Sequence, residues 1–301
     1  MKPNPTLLNW LLLLCLVLFW GTSFMFTAIA VRTVDPASLV FFRVLIGGVI
    51  LTSYLYLGNR RLPFDLKSWM AFCLFGFVGN LLPFFLIAWG QQTLDSGLAG
   101  MIMAIMPLVT MILAHYFIPN ETLNRFKILG FLTGITGVAL LLGPVFKGES
   151  REILSAIAIF IAACSYALNT VLVRRLPPLN PMVAGSGVLL AASICLLPFW
   201  LSQQHADFHA ISSASLWSVI WLGIGPTGIA TIILFAVIER AGPTFLSTIN
   251  YLIPVGAFLS GVWVLSEPMD LGSLFALGII LTGIALTRFK ASHNARVQNQ
   301  S

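Results

Sequence analysis

Long apolar runs broken by short polar joints set the rhythm of this chain. Ten runs can be read, over residues 7–31, 37–57, 68–90, 96–118, 127–146, 153–173, 182–201, 216–238, 244–265 and 271–287. At about 1.5 Å per residue, roughly 20 helical residues cross the ~30 Å hydrocarbon core of a bilayer. The joints carry turn chemistry: Asp35-Pro36, Gly58-Asn59, Asp95-Ser96, Pro119-Asn120, Pro177-Pro178, Asn180-Pro181, Gly242-Pro243 and Glu267-Pro268. The pattern predicts an all-α integral membrane protein of ten transmembrane helices with no soluble domain left over. The first run is longer than the apolar region of a signal peptide and nine more follow it, so it reads as a retained helix. The polar stretch 288–301 reads as a frayed cytoplasmic tail.

Two runs share an unusual feature. Ser96 to Phe117 contains no Lys, Arg, Asp or Glu and has Pro107 at its middle; Thr244 to Leu265 is likewise uncharged, with Pro254 at its middle. A proline inside a membrane helix removes one backbone hydrogen bond, so both are expected as break points. Interrupted apolar segments in corresponding parts of two halves point to a transporter binding site.

The halves correspond elsewhere too. A shift of about 146 residues lays Trp20-Gly21 on Tyr166-Ala167, Gly79 on Gly225, Glu121 on Glu267 and Thr136–Leu140 on Thr282–Leu286, while Pro107 meets Pro254 with a slip of one. Residues 7–146 and 153–287 thus read as two five-helix repeats. Because five is odd, the second must enter the membrane in the opposite sense, which makes the repeat inverted. Two halves so related can open a shared site first to one side and then to the other.

Hydrophobic residues make up 58% of the chain and charged residues 9%, against about 25% charged in soluble domains. The net charge of +6 could suggest nucleic acid, but its distribution gives another reason. With the N-terminus in the cytoplasm, only Arg32, Arg43, Lys147 and Arg151 fall outside or at the outer edge, and the other basic residues lie inside. The positive-inside rule therefore places both termini in the cytoplasm and leaves no nucleic-acid partner to invoke. Cys15, Cys73, Cys164 and Cys195 each lie within an apolar run without metal-ligand spacing, and read as packing residues.

Polar and aromatic residues cluster at mid-membrane positions. Trp20, Thr22 and Ser23 lie in the first run, Asn80 in the third with Trp89 and Gln91 towards its outer end, Tyr166 and Asn169 in the sixth, Thr227 in the eighth, and Asn250 and Tyr251 in the ninth. An amide in hydrocarbon is costly unless bonded, so Asn80, Asn169 and Asn250 must face protein or a wet cavity. All of these residues are candidates for contact with a small polar solute, the alternative being hydrogen-bonded glue between helices. Arg43 is the clear intramembrane charge. It could snorkel outward, pair with Asp35 or Asp95, or attract an anionic group of the solute. Glu121 and Glu267 are placed to cap the fifth and tenth helices. Met101, Met103 and Met106 read as adaptable packing, and Gly130 and Gly134 form a GxxxG contact. His205, Asp207 and His209 read as a solvated loop rather than a metal site. No nucleotide-binding loop, metalloprotease motif or mid-depth carboxylate is present, so neither ATP hydrolysis nor a carboxylate relay is indicated, and no cofactor or metal is expected.

These features together resemble the EamA-type carriers of the drug/metabolite transporter superfamily. The resemblance rests on Trp20-Gly21-Thr22-Ser23-Phe24, Asp35-Pro36 with Phe42-Arg43, Gly79-Asn80, Pro107, Glu121, Gly130 and Gly137, and in the second half on Tyr166-Ala167, Tyr251 to Pro254, Glu267-Pro268 and Gly283. It implies a bacterial inner-membrane carrier whose cavity is lined by helices 1, 3, 4, 6, 8 and 9, exporting amino acids or other small metabolites. The glutamate that small multidrug exporters carry in their first helix is missing, which argues against proton-linked export of quaternary cations. The rival readings are a membrane-embedded lipid-modifying enzyme and a channel-like or structural membrane protein. Oligomeric state and coupling ion do not follow from the residues.

Overall fold

The computed structural model describes residues 6–119, 121–175, 180–203 and 208–288. The sequence expectations at Asn120, Pro177-Pro178, His205, Asp207 and the tail beyond residue 288 lie outside the described residues. Every described element is helical. We number the ten main helices α1 (Leu7–Ala30), α2 (Pro36–Leu57), α3 (Leu66–Gly90), α4 (Ser96–Phe117), α5 (Arg125–Leu142), α6 (Ser150–Val173), α7 (Pro181–Ser202), α8 (Ser213–Ala241), α9 (Pro243–Leu265) and α10 (Leu271–Leu286). Among the described residues, nine are long and apolar enough to cross a membrane, and α10 is apolar but shorter.

Helix starts follow local chemistry. Asp35, Asp65, Asn124, Asn180, Ser212 and Asp270 each cap a helix by accepting from a backbone N–H of its first turn. This corrects the expectation for the two glutamates. Asn124 caps α5 and Asp270 caps α10; Glu121 instead pairs with Lys127 at 3.7 Å and Arg174 at 3.6 Å, and Glu267 reaches across to α4. The backbone amides on Asp65 and Asp270 hold both carboxyls below the usual aspartate range.

Pro107 breaks α4 as expected. The helix divides into Ser96–Met103 and Met106–Phe117, joined by tighter turns in which the N–H groups of Ala104 and Ile105 donate to Met101 and Ile102. Pro254 does not break α9. It lies within the continuous piece Ile249–Leu265, and the interruption falls earlier, at Ser247-Thr248, after Pro243–Leu246. A proline can remain within a membrane helix when packing holds its neighbours in helical geometry, and Pro254 is buried.

The packing repeats in the two halves. The partners α2–α7, α4–α9 and α5–α10 join each helix to its counterpart, while α1 lies on α8 and α9 just as α6 lies on α3 and α4. Exchanging the halves maps these neighbours onto one another. Glycines bring helices into close approach. A Cβ on Gly283 would stand 2.5 Å from the Gly134 nitrogen, and one on Gly137 would stand 2.9 Å from the Ala276 carbonyl, so the Gly130–Gly134 pattern does mark close helix contact. Cys73 and Cys195 place their sulfurs 3.3 Å apart between α3 and α7. Outward, Leu18, Val49, Trp217 and Phe275 are exposed, an arrangement suited to acyl chains.

Gly137→Ala and Gly283→Ala are each expected to lower stability by about 1–3 kcal/mol through overpacking. Gly278→Ala, with nothing within 4 Å of its new methyl, should leave it unchanged. Thermal unfolding of the purified protein in detergent checks the contrast.

Candidate functional site between the repeats

Two helices widen at equivalent places. In α3 the segment Phe77–Leu81, and in α8 the segment Gly223–Ile229, form π-helical turns; they contain the aligned glycines Gly79 and Gly225. A π turn shifts the hydrogen-bond ladder by one residue and leaves carbonyls available to other donors. Each widened segment has a carbonyl held by the first helix of the opposite repeat. Trp20 on α1 donates through Nε1 to the Pro226 carbonyl at 2.9 Å, and Ser165 on α6 donates to the Val78 carbonyl at 2.6 Å.

Arg43 lies against this junction. It is 6% exposed, so it does not snorkel, and it pairs with neither Asp35 nor Asp95. Its Nε donates to Thr227 Oγ1 at 2.9 Å, and that hydroxyl in turn donates to the Leu222 carbonyl at 2.8 Å. The guanidinium carbon stands 3.8 Å from the centre of the Phe84 ring. Phe84 meets Tyr166 edge-on, with centroids 6.3 Å apart. A buried cation is thus held by a hydroxyl and an aromatic face, and among the described residues no carboxylate pairs with it.

The other sequence candidates divide into three groups. Trp20, Thr227 and Tyr166 gather at this junction, and Asn169 packs on Gly79, where a Cβ would come within 2.6 Å of its Nδ2. The Asn169 Oδ1 is buried without a partner. Asn80 sits in the π turn of α3 and is half-buried. The hydroxyls of Thr22 and Ser23 are spent locally on the carbonyls of Leu18 and Trp20.

Trp89 and Gln91 lie at the far end of α3. Gln91 donates to the Phe24 carbonyl at 3.0 Å, keeps its Oε1 buried and unpartnered, and lines a polar cavity of about 390 Å³ together with Arg32, Asp95 and Glu267. Partial desolvation, followed by the charges of Glu267 and Glu152, pushes the Asp95 carboxyl up. A second cavity at the same end, of about 460 Å³, is mainly apolar and lies between α2, α7 and α8.

Asn250 and Tyr251 stand at the opposite end of the molecule, where α9 resumes after its break. Arg288 lies 4.7 Å from the centre of the Tyr251 ring and donates to the Ser247 carbonyl and hydroxyl at 2.8 Å. Phe84, Ser165 and the two π turns escaped the sequence reading. The only sign of the turns was glycine and proline density, Gly223-Ile224-Gly225-Pro226-Thr227-Gly228 and Gly79-Asn80 shortly before Pro83.

Comparison with known proteins agrees with this architecture. The chain matches the EamA-like transporter family twice, over residues 8–143 and 153–289. It is 25% identical over 280 residues to an uncharacterized transporter of Archaeoglobus fulgidus, covering 92% of this chain and 97% of that protein. It is 21% identical to the uncharacterized transporter YoaV of Bacillus subtilis, covering 93% and 96%, and 25% identical to the uncharacterized inner membrane transporter YedA of Escherichia coli K12, covering 91% and 88%. A crystal structure with 22% sequence identity superimposes with a TM-score of 0.67 over 93% of this chain and 96% of its own, which is a likeness of fold. With both halves matched and the helices paired across them, the chain belongs to the EamA-like transporter family.

Proposed function

We propose that this transporter-family protein is a secondary carrier of small polar metabolites bearing an anionic group, with amino acids as the first candidates. It moves them outward across a bacterial inner membrane by alternating access. The observation that carries this reading is Arg43, a buried guanidinium with a hydroxyl and a ring for company and, among the described residues, no carboxylate. A cation taken out of water incurs several kcal/mol of desolvation unless an anion and hydrogen bonds compensate it. A solute carboxylate would supply both, and a guanidinium presents its donors in a fork matched to that group. An ammonium on the same solute finds the unpartnered Asn169 Oδ1 and the ring of Tyr166 as neighbours of suitable chemistry.

The mechanical part of the proposal uses the repeats, 7–146 and 153–287, as two rocking bodies. Trp20 and Ser165 bind each body to the widened helix of the other, where a bond can be exchanged without unfolding a regular ladder. Asn80, Asn250 and Tyr251 would line the path, and the turns at Ala104-Ile105 and Ser247-Thr248 would let α4 and α9 bend. The excess of basic residues at one end supports cytoplasmic termini.

Counterflow in proteoliposomes, with one unlabelled amino acid inside and its labelled form outside, should give saturable accumulation without an ion gradient. The corresponding amino alcohols, lacking the carboxylate, should not exchange. Arg43→Gln should lower transport about a hundredfold and Arg43→Lys less, since lysine keeps the charge but loses the fork. Wild-type rates in Arg43→Gln would remove the anion site. Asn250→Leu should abolish transport while the protein still expresses, and unchanged transport would take Asn250 out of the path.

The cross-repeat bonds make a separate prediction. Trp20→Phe and Ser165→Ala each leave a carbonyl unpartnered and should each lower stability by about 1–2 kcal/mol. The two losses should add in the double variant, because the two bonds share no partner. Thermal unfolding in detergent reads all three.

A further inference from the structure

Glu267 belongs to the second repeat, yet its carboxylate is bound by the first. Oε1 accepts from the Ser96 N–H at 2.7 Å and Oε2 from the Gly97 N–H at 2.9 Å, so both oxygens sit on the opening amides of α4. The amides there have no partner within the helix, and the helix dipole adds its positive end to the attraction. The backbone around Glu267 is shaped to deliver it. Ser266 ends α9 in the left-handed region at φ 57°, and the Glu267 N–H turns back to the Gly261 carbonyl at 3.2 Å. Gly261 leaves the space for the carboxylate: a Cβ there would run into Oε2. Gly97 lets α4 lie close to α9, since its Cβ would stand 3.3 Å from the Phe258 Cα.

Glu267 lines the 390 Å³ polar cavity with Gln91, Asp95 and Arg32, and Ser96 and Gly97 follow directly on Asp95 in the chain. Further along α4 the packing is tight. Met101, one turn on, is 2% exposed, and Ala257 on α9 is fully buried against Gly100. The cavity is a polar vestibule, and the Glu267 carboxylate ties its wall to the start of α4, from which the packed α4–α9 contact continues.

We propose that Glu267 is the latch of the gate at this end of the carrier, holding α4 of one repeat to α9 of the other while the vestibule is shut off from the interior. Releasing its two amide bonds frees α4 from α9 and connects the vestibule to the junction around Arg43. Among the described residues the opposite end has no twin of this latch. Glu121, which aligns with Glu267, is engaged by Lys127 and Arg174, and the residues that align with Ser96 and Gly97 bring in Pro243, which has no N–H to donate. Glu267 is a positioning residue, and the assignment extends the carrier reading by naming a gate whose test needs no solute.

The test is thiol accessibility. In a chain with Cys15, Cys73, Cys164 and Cys195 replaced by alanine, Met101→Cys supplies a single thiol beneath the latch. The purified protein in detergent is exposed to a charged methanethiosulfonate, and the labelling rate is followed by mass spectrometry. Glu267→Gln should accelerate labelling about tenfold, as expected when a charge-assisted bond is lost from the closed state. Gly261→Ala, which keeps the charge but displaces the carboxylate, should accelerate it as well. Glu152→Gln, a neutralised carboxylate at the same end, should label at the parent rate, whereas equal acceleration by it would reduce the effect to general electrostatics and overturn the latch. An unchanged rate in Glu267→Gln, or in Gly261→Ala where the former does not fold, also overturns it. Accelerated labelling in a protein that shows no counterflow would leave the latch standing and count against the carrier reading alone.

Discussion

The hydrocarbon interior offers no hydrogen-bond partner, and that constraint governs how this chain can depart from regular helix. The departures are few and each is answered. At α4 the break at Ala104-Ile105 is taken up by tighter backbone turns, and in α3 and α8 a π-segment carbonyl is taken up by Ser165 and Trp20 from the other repeat. Irregularity is therefore concentrated where the two halves meet. Leu18 and Phe275, on regular helix, are exposed on the outside, where their apolar surface suits acyl chains. The same rule that forbids loose polar groups in lipid thus makes the repeat interface the place where bonds can be exchanged at modest cost.

Much of this was legible in the sequence, because the features concerned are periodic or compositional. Ten apolar runs gave ten helices, the glycines of α5 marked a close contact, and Pro107 marked a break. The misses have a common physical origin. Pro254 removes one N–H just as Pro107 does, but whether the helix parts there depends on the packing around it, and buried Pro254 stays within a continuous piece while the break moves to Ser247-Thr248. By sequence Glu267 reads as a local cap, because it precedes a helix. The nearer Asp270 takes that role, and the left-handed Ser266 turns Glu267 towards a helix that begins 171 positions away in sequence. Partners so distant leave no local pattern to read.

The candidate site was legible as a set of residue types more than as an arrangement. Arg43 stood out because a charge in an apolar run is rare, but its surroundings could not be read. The distances resolve it: the guanidinium stays buried between Thr227 and Phe84 instead of reaching the surface. Tyr251, which residue type alone groups with Trp20 and Tyr166, instead lies beside Arg288 at one end of the molecule, with Asn250 next to it in the chain. Mid-membrane sequence position does not set depth once a helix is interrupted, because a break re-aims the residues that follow it.

The symmetry of the scaffold and the asymmetry of its chemistry belong together. Helix pairing repeats between the halves, and under the alternating-access reading proposed above both states would have to pack about equally well. The chemistry does not repeat. Leu189 stands where the shift would place a partner for Arg43, and Glu121 meets two basic side chains where Glu267 meets two backbone amides. A perfectly symmetric carrier would have equal free energies with either end closed. If the chain works as proposed, one buried cation and one carboxylate clamp in a symmetric frame would separate those energies, and the resting conformation would be decided by a few polar contacts while the packed helices stayed indifferent to which end is shut.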